Sequence, residues 1–201
     1  MVNTRARIVV WGGTKKVLGT NPIAFACPRR SAPPVVWDQA SSVMSQGDVL
    51  LASAARRLLP DGVGVDADGT ATTDPDAVLH GGALLPFGGI KGGSLAFMVE
   101  ILSAALGGAK FGFEDDSTKV PGAVTSNAGQ FLLIVDPRRI GGDRFLDRIE
   151  ELVEHLRDAG TGRLPGDVRY ERRRLAERDG IEVSAEMHDN LIRKGRDVSP
   201  A

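Results

Sequence analysis

The run Gly88-Gly89-Ile90-Lys91-Gly92-Gly93 stands just before an apolar helical pattern. Glycine lets a backbone turn tightly or approach a ligand closely. N–H groups at a helix start, beside a lysine, suit a phosphate or a carboxylate. The alternative is a tight turn whose lysine faces solvent. The spacing matches neither the P-loop nor the GxGxxG dinucleotide fingerprint. Asp48 lies on a polar face with Ser41, Ser42 and Ser45. A carboxylate there orients an imidazole or an ammonium, or is a plain surface group. Asp66, Asp68, Asp74 and Asp76 resemble a calcium loop in composition only, without its spacing or terminal glutamate, and read better as a solvated turn. His80, His155 and His188 are scattered, without metal-ligand spacing or a Ser/His/Asp pattern, so no metal is expected.

Composition narrows the classes. The chain has 201 residues, 42% of them hydrophobic, with 25 basic and 26 acidic residues and a net charge of −1. A chain of this size hides roughly 70% of its unfolded surface. The charge balance gives no case for nucleic acid or an anionic membrane. Arg169, Arg172, Arg173 and Arg174 are offset by Glu171, Glu177 and Asp179. They read first as a solvated face and second as a phosphate contact. The single Cys27 excludes an internal disulfide framework and reads as a buried, inert thiol. No apolar stretch is long enough for a transmembrane helix or a signal peptide, so the cytoplasm is the default.

The elements that must hold these residues follow from periodicity and turn signals. Residues 7–11 read as a short buried strand stopped by Gly12-Gly13, and residues 23–27 as a second strand stopped by Pro28. Val35-Val36-Trp37 is a third, ending at Asp38. Residues 41–59 read as a helix with Met44, Val49, Leu50, Ala54 and Leu58 near one face, barred by Pro60. Residues 61–76 read as a loop, with Pro75 at a first helical position. From Ser94 a helix with stripe Leu95, Met98, Val99, Leu102, Ala105 and Leu106 runs to Gly107-Gly108. Residues 131–135 read as a fully apolar strand. Asp143 is expected to cap a long amphipathic helix with stripe Phe145, Leu146, Ile149, Leu152, Val153 and Leu156, closed by Gly160. A polar turn at Pro165-Gly166 precedes helices over 172–178 and 181–192. Strands mixed with helices give an α/β or α+β fold.

Six segments, in order, carry a resemblance. They are Gly19-Thr20-Asn21-Pro22-Ile23-Ala24-Phe25-Ala26, then Asp38-Gln39-Ala40-Ser41-Ser42, then Asp66-Ala67-Asp68-Gly69 with Thr72-Thr73-Asp74-Pro75. Leu85-Pro86-Phe87-Gly88-Gly89-Ile90-Lys91-Gly92, Val99-Glu100-Ile101-Leu102 and Gly162-Arg163-Leu164-Pro165-Gly166-Asp167 complete the set. Together they resemble the type-2, non-Rossmann malate/L-lactate dehydrogenase family of NAD(P)-dependent oxidoreductases. Met44-Ser45-Gln46-Gly47-Asp48 and Gly82-Ala83-Leu84-Leu85 are similar to its Δ1-piperideine-2-carboxylate/Δ1-pyrroline-2-carboxylate reductase branch.

The resemblance implies a family-specific, non-Rossmann cofactor-binding sheet flanked by helices. Residues 1–160 would form the NAD(P)-binding domain. Residues 161–201 would return to an N-terminal substrate domain. It implies a homodimer, NADP (or NAD) as cofactor and a small imino or 2-keto acid as substrate. Asp48 would orient the catalytic histidine. Thr20, Asn21, Asp48 and Val49 would contact substrate. Gln39, Ala40, Ser41, Ile90 and Lys91 would contact cofactor, as would the turn Arg163, Leu164, Pro165, Gly166, Asp167, Val168, Arg169. Two departures stand out. Ile90 replaces the branch's usual histidine and cannot donate a hydrogen bond. The family's catalytic histidine, its partnering serine and its substrate-binding arginine belong to a region that nothing before Gly12 resembles, so an N-terminally truncated chain is expected. Hydride addition to C=N or C=O needs a proton donor or a cation. The expectations are therefore a cyclic imino acid reductase, inactive as a fragment, a 2-hydroxy-acid dehydrogenase of the same family, or a non-catalytic remnant that binds cofactor or a partner.

Overall fold

In the computed structural model, which describes residues 1–122 and 127–197, β1 (Ile23–Cys27) pairs with β2 (Val35–Gln39) in a two-stranded sheet. α1 (Gln46–Ala54) follows. Then β3 (Gly64–Val65) pairs antiparallel with both β4 (Ala71–Thr72) and β5 (Ala83–Leu84), with α2 (Pro75–Leu79) between the latter two. α3 (Ile90–Val99) continues into a π-helical stretch, Glu100–Ala105. α4 (Pro137–Gly141), α5 (Phe145–Asp158), α6 (Asp167–Asp179) and α7 (Ala185–Asp197) complete the α/β chain. Contacts divide it into two units. One joins Met1–Ala26 to Val36–Asp143; the other joins Cys27–Val35 to the chain from Arg144 onward. Among the described residues no helix is long and apolar enough to cross a membrane.

The core of the first unit is built from Ile8, Leu18, Val49, Ala52, Leu59, Val63, Val78, Leu84 and Ala96. Three devices frame it. The Ser45 hydroxyl accepts the Asp48 N–H and starts α1. The Asp66 carboxylate accepts the N–H groups of Asp68 and Thr70, closing the β3–β4 turn. The Asp74 side chain accepts the Asp76 N–H, with Pro75 in the first turn of α2 as expected. The acidic loop is thus a turn and a helix cap.

Several elements differ from expectation. Residues 7–11 form no strand: Ile8 makes single bridges to Leu18 and Leu84, and the chain turns at Trp11 and Gly12 with positive φ. β2 runs past Asp38 to Gln39. The helix expected over 41–59 is only α1, because Ser45 caps it and Arg56 (φ 51°) breaks it. Leu50 and Leu58 are exposed, and Val49 and Ala52 face inward. The expected loop 61–76 contains β3 and β4, too short to show alternation. α3 begins at Ile90 rather than Ser94, and its buried face is Gly92, Gly93, Ala96 and Val99. Small residues win there because backbone lies close by: a Cβ on Gly92 would sit 2.4 Å from the Phe87 carbonyl oxygen. Residues 131–135 form no named strand. α5 is entered through Arg144 rather than Asp143, and of its expected stripe only Val153 is buried. α6 begins five residues before the expected 172, behind a left-handed Gly166. α7 lies later than the expected 181–192.

In the second unit, Arg29 clamps Glu150 through two hydrogen bonds (3.3 and 2.5 Å), and the Arg30 N–H adds a third. Tyr170 donates its hydroxyl to the Pro34 carbonyl. The Arg29 bond, followed by the Arg30 N–H, holds the Glu150 carboxyl below its ordinary range. The contribution of a depressed carboxyl is present above the ordinary glutamate range and lost as pH falls through the lowered value. Glu150→Gln should therefore lower stability at neutral pH, and the gap to the parent should close on acidification, read by urea unfolding across pH.

Gly129 and Gly162 make a paired test. A Cβ on Gly129 would meet the Ser103 carbonyl oxygen at 1.7 Å, whereas Gly162 faces open space. Gly129→Ala should cost the upper end of the ~1–3 kcal/mol overpacking range or more. Gly162→Ala should be near neutral by the same denaturant measurement.

Candidate functional site

Gly19-Thr20-Asn21-Pro22 is shaped by crowding. A Cβ on Gly19 would lie 2.2 Å from the Thr4 carbonyl oxygen and 2.4 Å from Asn21 Oδ1, so only glycine fits. Asn21 is fully buried with φ 37°, a conformation that asparagine tolerates better than most residues. Its side chain holds it there. Oδ1 accepts the Thr4 N–H at 2.9 Å, and Nδ2 donates to the Ala96 carbonyl at 2.8 Å and to Glu100 Oε2 at 2.7 Å. The amide is thus committed to the fold, and half-buried Thr20 carries the remaining polar side chain of the pair.

Ser41 joins this turn to the glycine-rich one. Its N–H donates to the Thr20 carbonyl at 2.7 Å, and its hydroxyl donates to the Asn21 carbonyl at 3.1 Å. Its own carbonyl accepts the Phe87 N–H at 3.0 Å and lies 2.8 Å from where a Gly92 Cβ would be. Gln39 is exposed at the end of β2, and Ala40 is half-buried. Thr20, Asn21, Ser41 and the residues flanking Lys91 thus form one hydrogen-bonded cluster in the first unit.

Lys91 is exposed in the first turn of α3, beside exposed Ile90. The N-cap is Gly89 (φ 59°), without a side-chain cap. Many local N–H groups are spent within the turn. Gly89 donates to Pro86, Lys91 to Gly88, Gly92 to Phe87 and Gly93 to Gly89. An anion here would therefore meet mainly the lysine ammonium and the helix dipole rather than a nest of free amides.

Asp48 is exposed in the first turn of α1, and its carboxylate accepts the Ser45 hydroxyl at 2.7 Å. Val49 beside it is 0% exposed and belongs to the core, so its side chain faces inward. The segment from Arg163 to Arg169 lies in the second unit. Arg163, Pro165, Asp167, Val168 and Arg169 are exposed; Leu164 is buried and Gly166 half-buried. Asp167 accepts the Leu164 N–H at 2.8 Å and fastens the turn. On α6, Arg173 pairs with Glu177 and Arg174 with Glu171, which favours the solvated-face reading of that basic run. His80, His155 and His188 are all exposed. Among the described residues no group of three His, Cys, Asp or Glu side chains is arranged to hold a metal.

Sequence reasoning gave Glu100 no role. It is 3% exposed, and amides satisfy its carboxylate. Oε2 accepts from Asn21 Nδ2. Oε1 accepts the Gly112 N–H, and Asn3 Nδ2 lies at 3.5 Å. A lone acid between Val99 and Ile101-Leu102 was the available signal, since a buried carboxylate must be satisfied.

A sequence profile of the malate/L-lactate dehydrogenase family matches residues 1–192. The chain belongs to this family. It is 49% identical over 184 residues to the Δ1-pyrroline-2-carboxylate/Δ1-piperideine-2-carboxylate reductase of Pseudomonas putida, covering 92% of this chain and 54% of that protein. It is 41% identical over 172 residues to the (2R)-3-sulfolactate dehydrogenase (NADP(+)) of Chromohalobacter salexigens, covering 86% and 51%. It is similar to the crystal structure of Δ1-piperideine-2-carboxylate reductase from Pseudomonas syringae pv. tomato, with a TM-score of 0.89 and 46% identity over 94% of this chain and 57% of that one. The chain thus spans about half the length of these family members.

Glu100→Gln keeps the shape but puts an NH2 group against the Asn21 amide or the Gly112 N–H. Opposed buried donors should cost ~1–3 kcal/mol. A urea titration that finds no loss would contradict the network, and a double cycle with Asn21→Ala should be non-additive.

Proposed function

We propose that this chain is the cofactor-binding part of an NAD(P)H-dependent reductase of a cyclic imino acid, Δ1-piperideine-2-carboxylate or Δ1-pyrroline-2-carboxylate, giving pipecolate or proline. The observation that carries the reading is Ser41, whose bonds unite the Thr20-Asn21 turn with the turn that launches Lys91. The reductase names at 49% and 48% identity support the substrate class. In this reading residues 1–160 are the NAD(P)-binding domain, and residues 161–201 return to a substrate domain. The protein is a cytoplasmic homodimer. NADP is preferred to NAD, a choice supported by the name of the sulfolactate relative.

The residues present fit a nicotinamide cofactor. Lys91 is an exposed cation at an uncapped helix start, suited to a phosphate. Gln39, Ala40 and Ser41 offer the turn after β2, and Ile90 offers apolar contact. Within its own unit the turn from Arg163 to Arg169 is assigned to the cofactor, with Arg163 and Arg169 as exposed cations at its two ends; Leu164, Pro165, Gly166, Asp167 and Val168 shape it. The bound cofactor supplies a hydride to the carbon bearing the substrate carboxylate. Thr20 presents its hydroxyl to substrate, and Asn21 locks the backbone behind it. Val49 anchors the start of α1, and Asp48 there orients a histidine supplied from outside this chain. That histidine gives the proton that neutralises the reduced nitrogen, a step worth ~10²–10⁴-fold. The 41% identity to a sulfolactate dehydrogenase favours a second reading, a 2-hydroxy-acid dehydrogenase.

The test joins this chain to the remaining N-terminal portion of the P. putida reductase and follows NADPH oxidation. Turnover of Δ1-piperideine-2-carboxylate should exceed that of pyruvate and oxaloacetate. Equal or faster turnover of the keto acids would reject the imino acid reading. In calorimetric titration of the chain with NADPH, Lys91→Ala should weaken binding about tenfold, the worth of one charge-assisted contact. Absence of any binding by the parent would leave the non-catalytic remnant as the better description.

A further inference from the structure

A narrow cleft in the first unit lies where the segment of Arg7 meets the start of α1 and the end of α2. Its polar side chains are Arg7, Lys16 and Gln46, and the core residues Val78 and Leu84 stand behind them. Two cations and one amide thus face it, and among the described residues no carboxylate lines it. Arg7 is half-buried, and its backbone is committed: its N–H donates to the Leu18 carbonyl at 2.8 Å and its carbonyl accepts the Leu84 N–H at 2.9 Å. Its guanidinium makes no ion pair among the described residues. Asp115 attracts it, but that carboxylate is engaged by Arg5 at 3.2 Å and by the Ser117 N–H at 3.0 Å. Burial, and next the charge of Arg5, hold the Arg7 pKa below its ordinary value. Lys16 brings the second cation and donates to the Gly82 carbonyl at 3.2 Å, which leaves two of its three donors. Gln46 is the first residue of α1, where the leading N–H groups have no intrahelical partner and the dipole favours negative charge.

A partly buried guanidinium beside a second ammonium is costly unless an anion offsets them. The size of the cleft selects the anion. Its volume is about 10 Å³, room for one particle of about the size of water. Phosphate, sulfate and carboxylate groups are too large. A single halide ion is only slightly larger than water, and the exposed Lys16 side chain swings outward to admit it. We propose that this cleft binds one chloride ion, held by the Arg7 guanidinium, the Lys16 ammonium and the Gln46 amide. The ion neutralises two cations of like charge and fastens the segment of Arg7 to α1 and α2. The inference is independent of the substrate read above.

The full chain is unfolded in urea at fixed ionic strength while gluconate, too large for the cleft, is exchanged for chloride. At a chloride concentration about ten times half-saturation, the folded-to-unfolded ratio should rise about tenfold. Bromide should replace chloride, and its anomalous signal in crystals of the chain should lie between Arg7 and Lys16. Lys16→Gln, at an exposed position outside the core, should fold normally and lose most of the chloride dependence. Arg7→Gln should lose it as well, and the doubly substituted chain reports the general salt effect alone. An equal ratio in chloride and gluconate overturns the proposal. So does a chloride dependence that survives both substitutions, or bromide that orders only elsewhere on the surface.

Discussion

The Thr20-Asn21 turn depends on one buried carboxylate. Glu100 sits where α3 loosens into its π-helical stretch, and amides from Asn3, Asn21 and Gly112 satisfy it. Burying a carboxylate is costly unless every lone pair is occupied, so each donor is held in place by the penalty of leaving. The consequence is transmitted to the backbone. Asn21 is held at positive φ before a proline, where that geometry is otherwise disfavoured. Thr20 and Ser41 take their positions from it.

A second constraint acts through the absence of side chains. Gly19, Gly92 and Gly129 each stand where a Cβ would strike backbone oxygen. Such positions let the N-terminal turn, the glycine-rich turn and the π-helical stretch approach within hydrogen-bond distance. The same crowding explains why α3 packs through Gly92, Gly93 and Ala96, with Val99 at its end, while Phe97 stays exposed. In this family member the apolar stripe of α3 is a poor guide to its buried face.

Exposed apolar surface is the other organising fact. Phe97 and Trp11 meet edge to face at 5.7 Å with both residues about half exposed, and residues 132–134 are more exposed still. An exposed surface this apolar marks an interaction site or an aggregation liability.

Sequence alone determined the family, because ordered short motifs such as Gly19-Thr20-Asn21-Pro22 and Gly88-Gly89-Ile90-Lys91-Gly92 are local and position-specific. It also determined β1, the Pro75 start of α2 and the existence of α5, whose signals lie within a few residues. Only the tertiary structure decided where α1 and α3 begin, since a cap and a carbonyl contact override periodicity. It alone showed that the Asn21 amide is spent on the fold and that Glu100 receives it, because donors 79 to 97 residues away leave no mark on local pattern. It left residues 131–135 without a named strand for a related reason: apolar side chains state a preference, but pairing needs a neighbour along the full edge.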